Sequence, residues 1–226
     1  KIWVPFDSYT MREAIEDGFI LNPLNGIIPI SAKMYYEMPE EKTKGVEDLS
    51  KKEYKMPGNS KVYEDEERIQ AISEYVARLL VQDVYKKIVV PGIGGTAKAM
   101  LAVYSIKSAI KYKQYVTEHF NKLVEDKKYE RYKDAPMYRV FSSGQDEGKA
   151  STVNDNKREE KVVQNFAMER NGLIIVVDKL QTGFDEPKLH TLFLDKEING
   201  INAIQTISRV NRKAKFKNDC KIVDFS

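Results

Sequence analysis

The chain has 226 residues, enough for one large domain with a buried core. Apolar residues make up 42% and charged residues 31%, which excludes a disordered chain, and the longest clean apolar run, Leu173–Val177, is too short for a transmembrane helix. A single cysteine, Cys220, excludes a disulfide framework and fits a reducing cytoplasm, and a net charge of +3 is too mild to announce nucleic-acid binding.

Taken in order, residues 1 to about 63 are irregular and rich in Tyr, Pro and Lys. The stretch opens at Lys1 without an initiator Met or a signal-peptide core, as expected of a segment cut from a longer chain. Ser8 to Asp17 is expected as a short helix capped by Ser8 or Thr10. Ile27 to Met38 is expected to include a strand, and Glu40 to Ser60 a polar loop. Residues 64–84 carry Ile69, Ile72, Val76, Leu79 and Leu80 at helical spacing, with acids at the start that suit the helix dipole. Strand and helix then alternate. Strands are expected at Ala99–Tyr104, Met137–Phe141, Leu173–Val177, Thr191–Leu194 and Lys221–Phe225. Helices are expected from Ile106, at Lys157–Arg170 and at Ala203–Asn211. This alternation argues for an α/β parallel sheet with helices on both faces, and an irregular N-terminal extension. Ligand chemistry in such sheets gathers at the carboxyl ends of strands, here Ser105, Ser142, Asp178, Asp195 and Asp224.

Charge is unevenly spread. Val84–Thr117 holds six lysines, Lys107 among them, and no acid. Gln205–Lys221 holds six basic residues and one acid, Asp219. These stretches can form a phosphate-attracting surface or two solvated helix faces.

Pro91–Lys98 is glycine-rich but lacks the Gly-Lys-Ser/Thr of a phosphate loop, so it is read as a flexible turn entering the strand at Ala99. Asp178–Pro187 follows the buried strand Leu173–Val177, and its Thr182, Gly183 and Asp185 can serve a ligand or an ordinary turn. Gln205-Thr206-Ile207-Ser208-Arg209-Val210-Asn211-Arg212, read as a helix, puts Gln205, Arg209 and Arg212 roughly opposite Ala203, Ile207 and Val210. Guanidinium groups bind phosphate bidentately, and a solvated basic face is the plain alternative. His119 and His190 lack a ligand cluster, so no metal site is expected. Asp195 is expected as a turn or capping residue, and Cys220 as an inert buried thiol.

Together, Lys179–Pro187, Thr191–Lys196 and Gln205–Arg212 resemble the R (restriction) subunit of type I restriction-modification enzymes, which are superfamily 2 helicase-like DNA translocases. The match is to helicase motifs V and VI on the second RecA-like motor domain. Ala99–Ser105 resembles the segment around motif IV, and Tyr9–Leu21 the stretch joining the two motor domains. The resemblance implies a RecA-like domain over residues 64–226, preceded by an interdomain segment over 1–63. It implies that Arg209 and Arg212, supported by Gln205, reach the ATP phosphates, and that Thr182, Gly183 and Asp185 belong to the nucleotide site and couple it to DNA. It implies DNA-backbone contacts at Ser105, Lys107, Ser142, Ser143 and Thr182. ATP and Mg²⁺ would serve the intact protein, with their main ligands in an upstream segment. The implied partners are double-stranded DNA, the methylation and specificity subunits, and the preceding motor and nuclease domains of the same chain, with no membrane partner. The alternatives are another superfamily 2 helicase or translocase, a non-catalytic nucleic-acid or subunit-docking module, and a small stand-alone α/β enzyme.

Overall fold

The computed structural model describes residues 10–30, 59–87, 96–140, 159–177 and 185–226. Six strands form one sheet: β1 (Ile27–Pro29), β2 (Lys98–Val103), β3 (Met137–Val140), β4 (Leu173–Val176), β5 (Leu189–Asp195) and β6 (Lys221–Asp224). Their order is β1-β6-β5-β2-β4-β3, and every pairing is parallel. The helices are α1 (Met11–Glu16), α2 (Asn59–Tyr63), α3 (Glu66–Gln82), α4 (Ile106–Val124), α5 (Glu159–Met168) and α6 (Gly200–Ile207).

The strand pleat explains the layering. Successive side chains point to opposite faces. Ala99, Leu101 and Val103 of β2 and Leu173 and Ile175 of β4 pack into one core with Ile69, Ile72 and Val76 of α3 and Tyr112, Val116 and Phe120 of α4. Met100, Ala102, Ile174 and Val176 enter a second core with Val162 and Phe166 of α5 and Val210. Both faces are covered, so the central strands are apolar on both sides and show no alternation. This is the expected parallel sheet with helices on both faces.

Local chemistry sets the helix starts. Thr10 makes a capping box with Glu13, Asp65 caps α3 through Arg68 N, and Ser105 caps α4 through Ser108 N. β1 comes from the N-terminal segment and pairs with β6 at the sheet edge, where Pro29 is tolerated. Gly26 admits it: a Cβ there would lie 2.0 Å from the Cys220 carbonyl oxygen.

Three expectations need correction. Asn59–Tyr63 is helical, although its start was placed in a polar loop. β5 runs from Leu189 to Asp195, longer than Thr191–Leu194, because the polar His190 and Asp195 at its two ends are buried strand residues. α6 spans Gly200–Ile207, so it starts earlier and stops before the arginines.

Candidate functional site

After α6 the chain turns tightly, with Arg209 N donating to Thr206 O and Val210 N to Ile207 O. The expected common face of Gln205, Arg209 and Arg212 therefore changes. Gln205 is half-buried on the helix, and its carbonyl accepts from Ser208 Oγ at 2.8 Å. Arg209 is only 8% exposed, not part of a solvated face. Arg212 is partly exposed and forms an ion pair with the exposed Asp185. Burial first, and then the neighbouring Arg212 charge, draws Arg209 below the ordinary guanidinium range, with Asp185 opposing. The structure thus brings Asp185, Arg209 and Arg212 into one group and keeps Gln205 on the adjoining helix.

Three successive carbonyls of this turn, those of Val210, Asn211 and Arg212, are taken. Lys217 Nζ donates to Val210 O at 2.6 Å and to Arg212 O at 2.7 Å. Leu21 N donates to Asn211 O at 2.7 Å, and Ile20 bridges Arg212. Lys217 was not singled out in the sequence, and a lysine in a basic run gives no local signal of burial.

Ser105 and Lys107 sit elsewhere, beyond the carboxyl end of β2. Ser105 Oγ accepts from Ser108 N at 3.1 Å and donates to Glu64 Oε1 at 2.7 Å. Lys107 Nζ donates to Glu64 Oε2 at 3.2 Å. The Ser105 hydrogen bond chiefly, and then Lys107, hold the Glu64 carboxyl below its usual range against partial burial. Lys111 and Tyr115 of α4 likewise hold Glu66. Acids at the start of α3 therefore cover the basic start of α4. Ser142, Ser143, Thr182 and Gly183 lie outside the described residues.

The two groups lie at opposite edges of the sheet. Ser105 follows the last residues of β2. Asp185 precedes β5, and its neighbour Glu186 pairs with Lys98, the first residue of β2, at 2.7 Å. The arginine group thus sits toward the amino-terminal ends of the strands, away from the carboxyl ends that carry Ser105 and Asp195. Lys98 itself is buried. Besides Glu186 it reaches the α5 carbonyls of Phe166 and Ala167, so the end of the glycine-rich stretch is an anchor rather than part of a flexible turn.

Asp195 is neither turn nor cap. It is fully buried at the end of β5, paired with Arg68 and accepting from Tyr112 Oη at 2.6 Å. Arg68 also donates to Phe225 O at 2.8 Å and lies over the Tyr63 ring. Burial raises the Asp195 carboxyl, with Arg68 opposing. Cys220 is a buried free thiol, pushed up by burial. Among the described residues, no group of three or more His, Cys, Asp or Glu is arranged to hold a metal ion, and no helix is long and apolar enough to cross a membrane.

Comparison with known proteins adds to this geometry. Residues 150–226 match the family described as type I restriction enzyme subunit R domain 3. The Methanocaldococcus jannaschii protein named as the type I restriction enzyme MjaIXP endonuclease subunit is 31% identical over 134 residues, covering 57% of this chain and 12% of that protein. Its MjaVIIIP counterpart is 25% identical over 242 aligned positions, covering 97% of this chain and 23% of that protein. The chain therefore spans under a quarter of the length of these relatives. A fragment structure described as an HsdR subunit of a type I restriction enzyme from Vibrio vulnificus YJ016 superposes with a TM-score of 0.62 at 15% identity, covering 98% of this chain and 35% of that one. Residues 150–226 are thus similar in sequence to domain 3 of the type I restriction enzyme R subunit, and the parallel sheet with helices on both faces is a RecA-like fold.

Proposed function

We propose that the chain is the second motor domain of an ATP-dependent, DNA-translocating R subunit of a type I restriction endonuclease. The observation that carries this reading is the convergence of Arg209 and Arg212 beside Asp185, on a turn in which the carbonyls of Val210, Asn211 and Arg212 are held. Two guanidinium groups on a rigid support fit the terminal phosphates of ATP, and arginines of this kind stabilise charge as a phosphoryl group transfers. Gln205 supports them from α6, and Thr182, Gly183 and Asp185 belong to the same nucleotide site. ATP is the substrate whose hydrolysis supplies the free energy. Mg²⁺ serves the intact protein with ATP, and the main phosphate and metal ligands are supplied by a preceding segment of the longer protein.

Ser105, Lys107, Ser142, Ser143 and Thr182 are the proposed contacts to the backbone of double-stranded DNA. A serine hydroxyl at a helix start and a nearby ammonium are suited to phosphate oxygens. In the intact cytoplasmic complex, closure of the cleft against the first motor domain would move these contacts along the duplex. The preceding motor and nuclease domains, together with the methylation and specificity subunits, complete the assembly. Alone, this domain has half of the ATP site and no nuclease.

The test is a triplex-displacement assay on the intact subunit in its complex. ATP-dependent displacement downstream of the recognition site is expected, and it is lost in an Arg209→Ala/Arg212→Ala variant. Displacement that persists in that variant contradicts the assignment.

A further inference from the structure

The segment from Ser208 to Arg212 carries both arginines, follows the end of α6 and is not helical. Val210 and Asn211 are buried, so their carbonyls need donors that water cannot supply. Three successive carbonyls find them. Those of Val210 and Arg212 accept from Lys217 Nζ, and that of Asn211 accepts from Leu21 N. Lys217 is 2% exposed and is set by its own tight turn, in which its N–H donates to Ala214 O at 3.0 Å. Burial draws its ammonium down to about 8, with Arg212 adding to the effect and Cys220, Asp219 and Glu186 opposing it. An apolar residue would avoid that desolvation, and a flexible exposed turn would need no buried donor.

We propose that Lys217 is a positioning residue for phosphate recognition: it fixes the backbone at Val210 and Arg212 and so aims the Arg209 and Arg212 side chains. The proposal rests on the reading that these arginines meet ATP phosphates. Without Lys217 the turn loses two of its three carbonyl clamps, and the guanidinium groups share a wider set of directions. A group that acts in the transition state is then less often in place, while substrate binding by the rest of the site persists.

The experiment is steady-state ATPase kinetics on the intact DNA-bound subunit, with thermal melting of each variant. Lys217→Met is expected to lower kcat at least tenfold with KM within threefold. Lys217→Gln, which keeps one donor group, is expected to fall in between. Adding Lys217→Met to Arg212→Ala is expected to cost less than the product of the two single losses, because part of the Lys217 effect runs through Arg212. Turnover of Lys217→Met within twofold of the parent overturns the proposal, as does a multiplicative loss in the double variant. Loss of the cooperative melt in both Lys217 variants also overturns it, making Lys217 a residue of the fold alone. Arg212→Ala with parental turnover overturns the reading of the arginines themselves, and the positioning role with it.

Discussion

Arg212 and Asp185 form an ion pair that ties the turn after α6 to the segment entering β5. Asp185 is 66% exposed and Arg212 35%, so the pair contributes only about 0–1 kcal/mol to stability. Its value lies in where it holds the guanidinium. Asp185→Asn is expected to shift the melting midpoint by no more than about 2 °C and to lower ATP turnover of the intact subunit at least about fivefold. Calorimetry beside ATPase kinetics checks this. Unchanged turnover would remove Asp185 from the site.

Glu64 occupies Ser105 and Lys107 together. If these two residues meet DNA phosphates, the carboxylate competes with them. Glu64→Gln is expected to tighten duplex binding by the intact subunit a few-fold at low salt, whereas Lys107→Ala weakens it and reduces the salt slope by about one. A titration across salt concentrations reads both effects. Affinity and slope that ignore both substitutions would place the DNA elsewhere.

The buried Arg68–Asp195–Tyr112 group is a stability element. Removing one charge leaves the other buried and unpaired, so Asp195→Asn or Arg68→Met is expected to cost about 3–5 kcal/mol, and Tyr112→Phe about 1–2 kcal/mol. Urea unfolding measures each loss. The double Arg68→Met/Asp195→Asn variant is expected to lose less than the two single losses combined. Additive losses would show that the charges do not act as a pair.

His190 gives the fold an acid limit. Burial, chiefly, lowers its pKa from 6.5 to about 4, and Asp219 only partly opposes this. The folded state then binds fewer protons than the unfolded state between about pH 4 and 6.5. Stability is therefore fully present above that window and falls as pH drops through it, by about 3 kcal/mol in total. His190→Gln is expected to flatten the fall in urea midpoint between pH 7 and 4.5. An equal fall in both proteins would assign the acid limit to other groups.

How far these features were legible depends on how local their causes are. The apolar runs of β2 and β4 and the helical spacing of Ile69, Ile72 and Val76 are short-range signals, and they place the elements correctly. The family resemblance rests on Lys179–Pro187, Thr191–Lys196 and Gln205–Arg212, with Ala99–Ser105 and Tyr9–Leu21 beside them, and the first three segments fall within the matched residues 150–226. The two ends of β5 were missed because His190 and Asp195 are polar, and their burial depends on partners far along the chain: Asp219, Arg68 and Tyr112. The end of α6 was missed for the same reason. Nothing within Gln205–Arg212 says that a later lysine and an early leucine will take the carbonyls of the turn. The burial of Arg209 is for this reason not legible in its local sequence.

A role for Arg209 and Arg212 in ATP hydrolysis is read out by turnover itself. The DNA-stimulated ATPase rate of the intact subunit should be compared with those of Arg209→Ala and Arg212→Ala, each checked by melting. Each substitution is expected to lower kcat by about 100-fold or more while the fold melts as before. Parental turnover in both variants would contradict it.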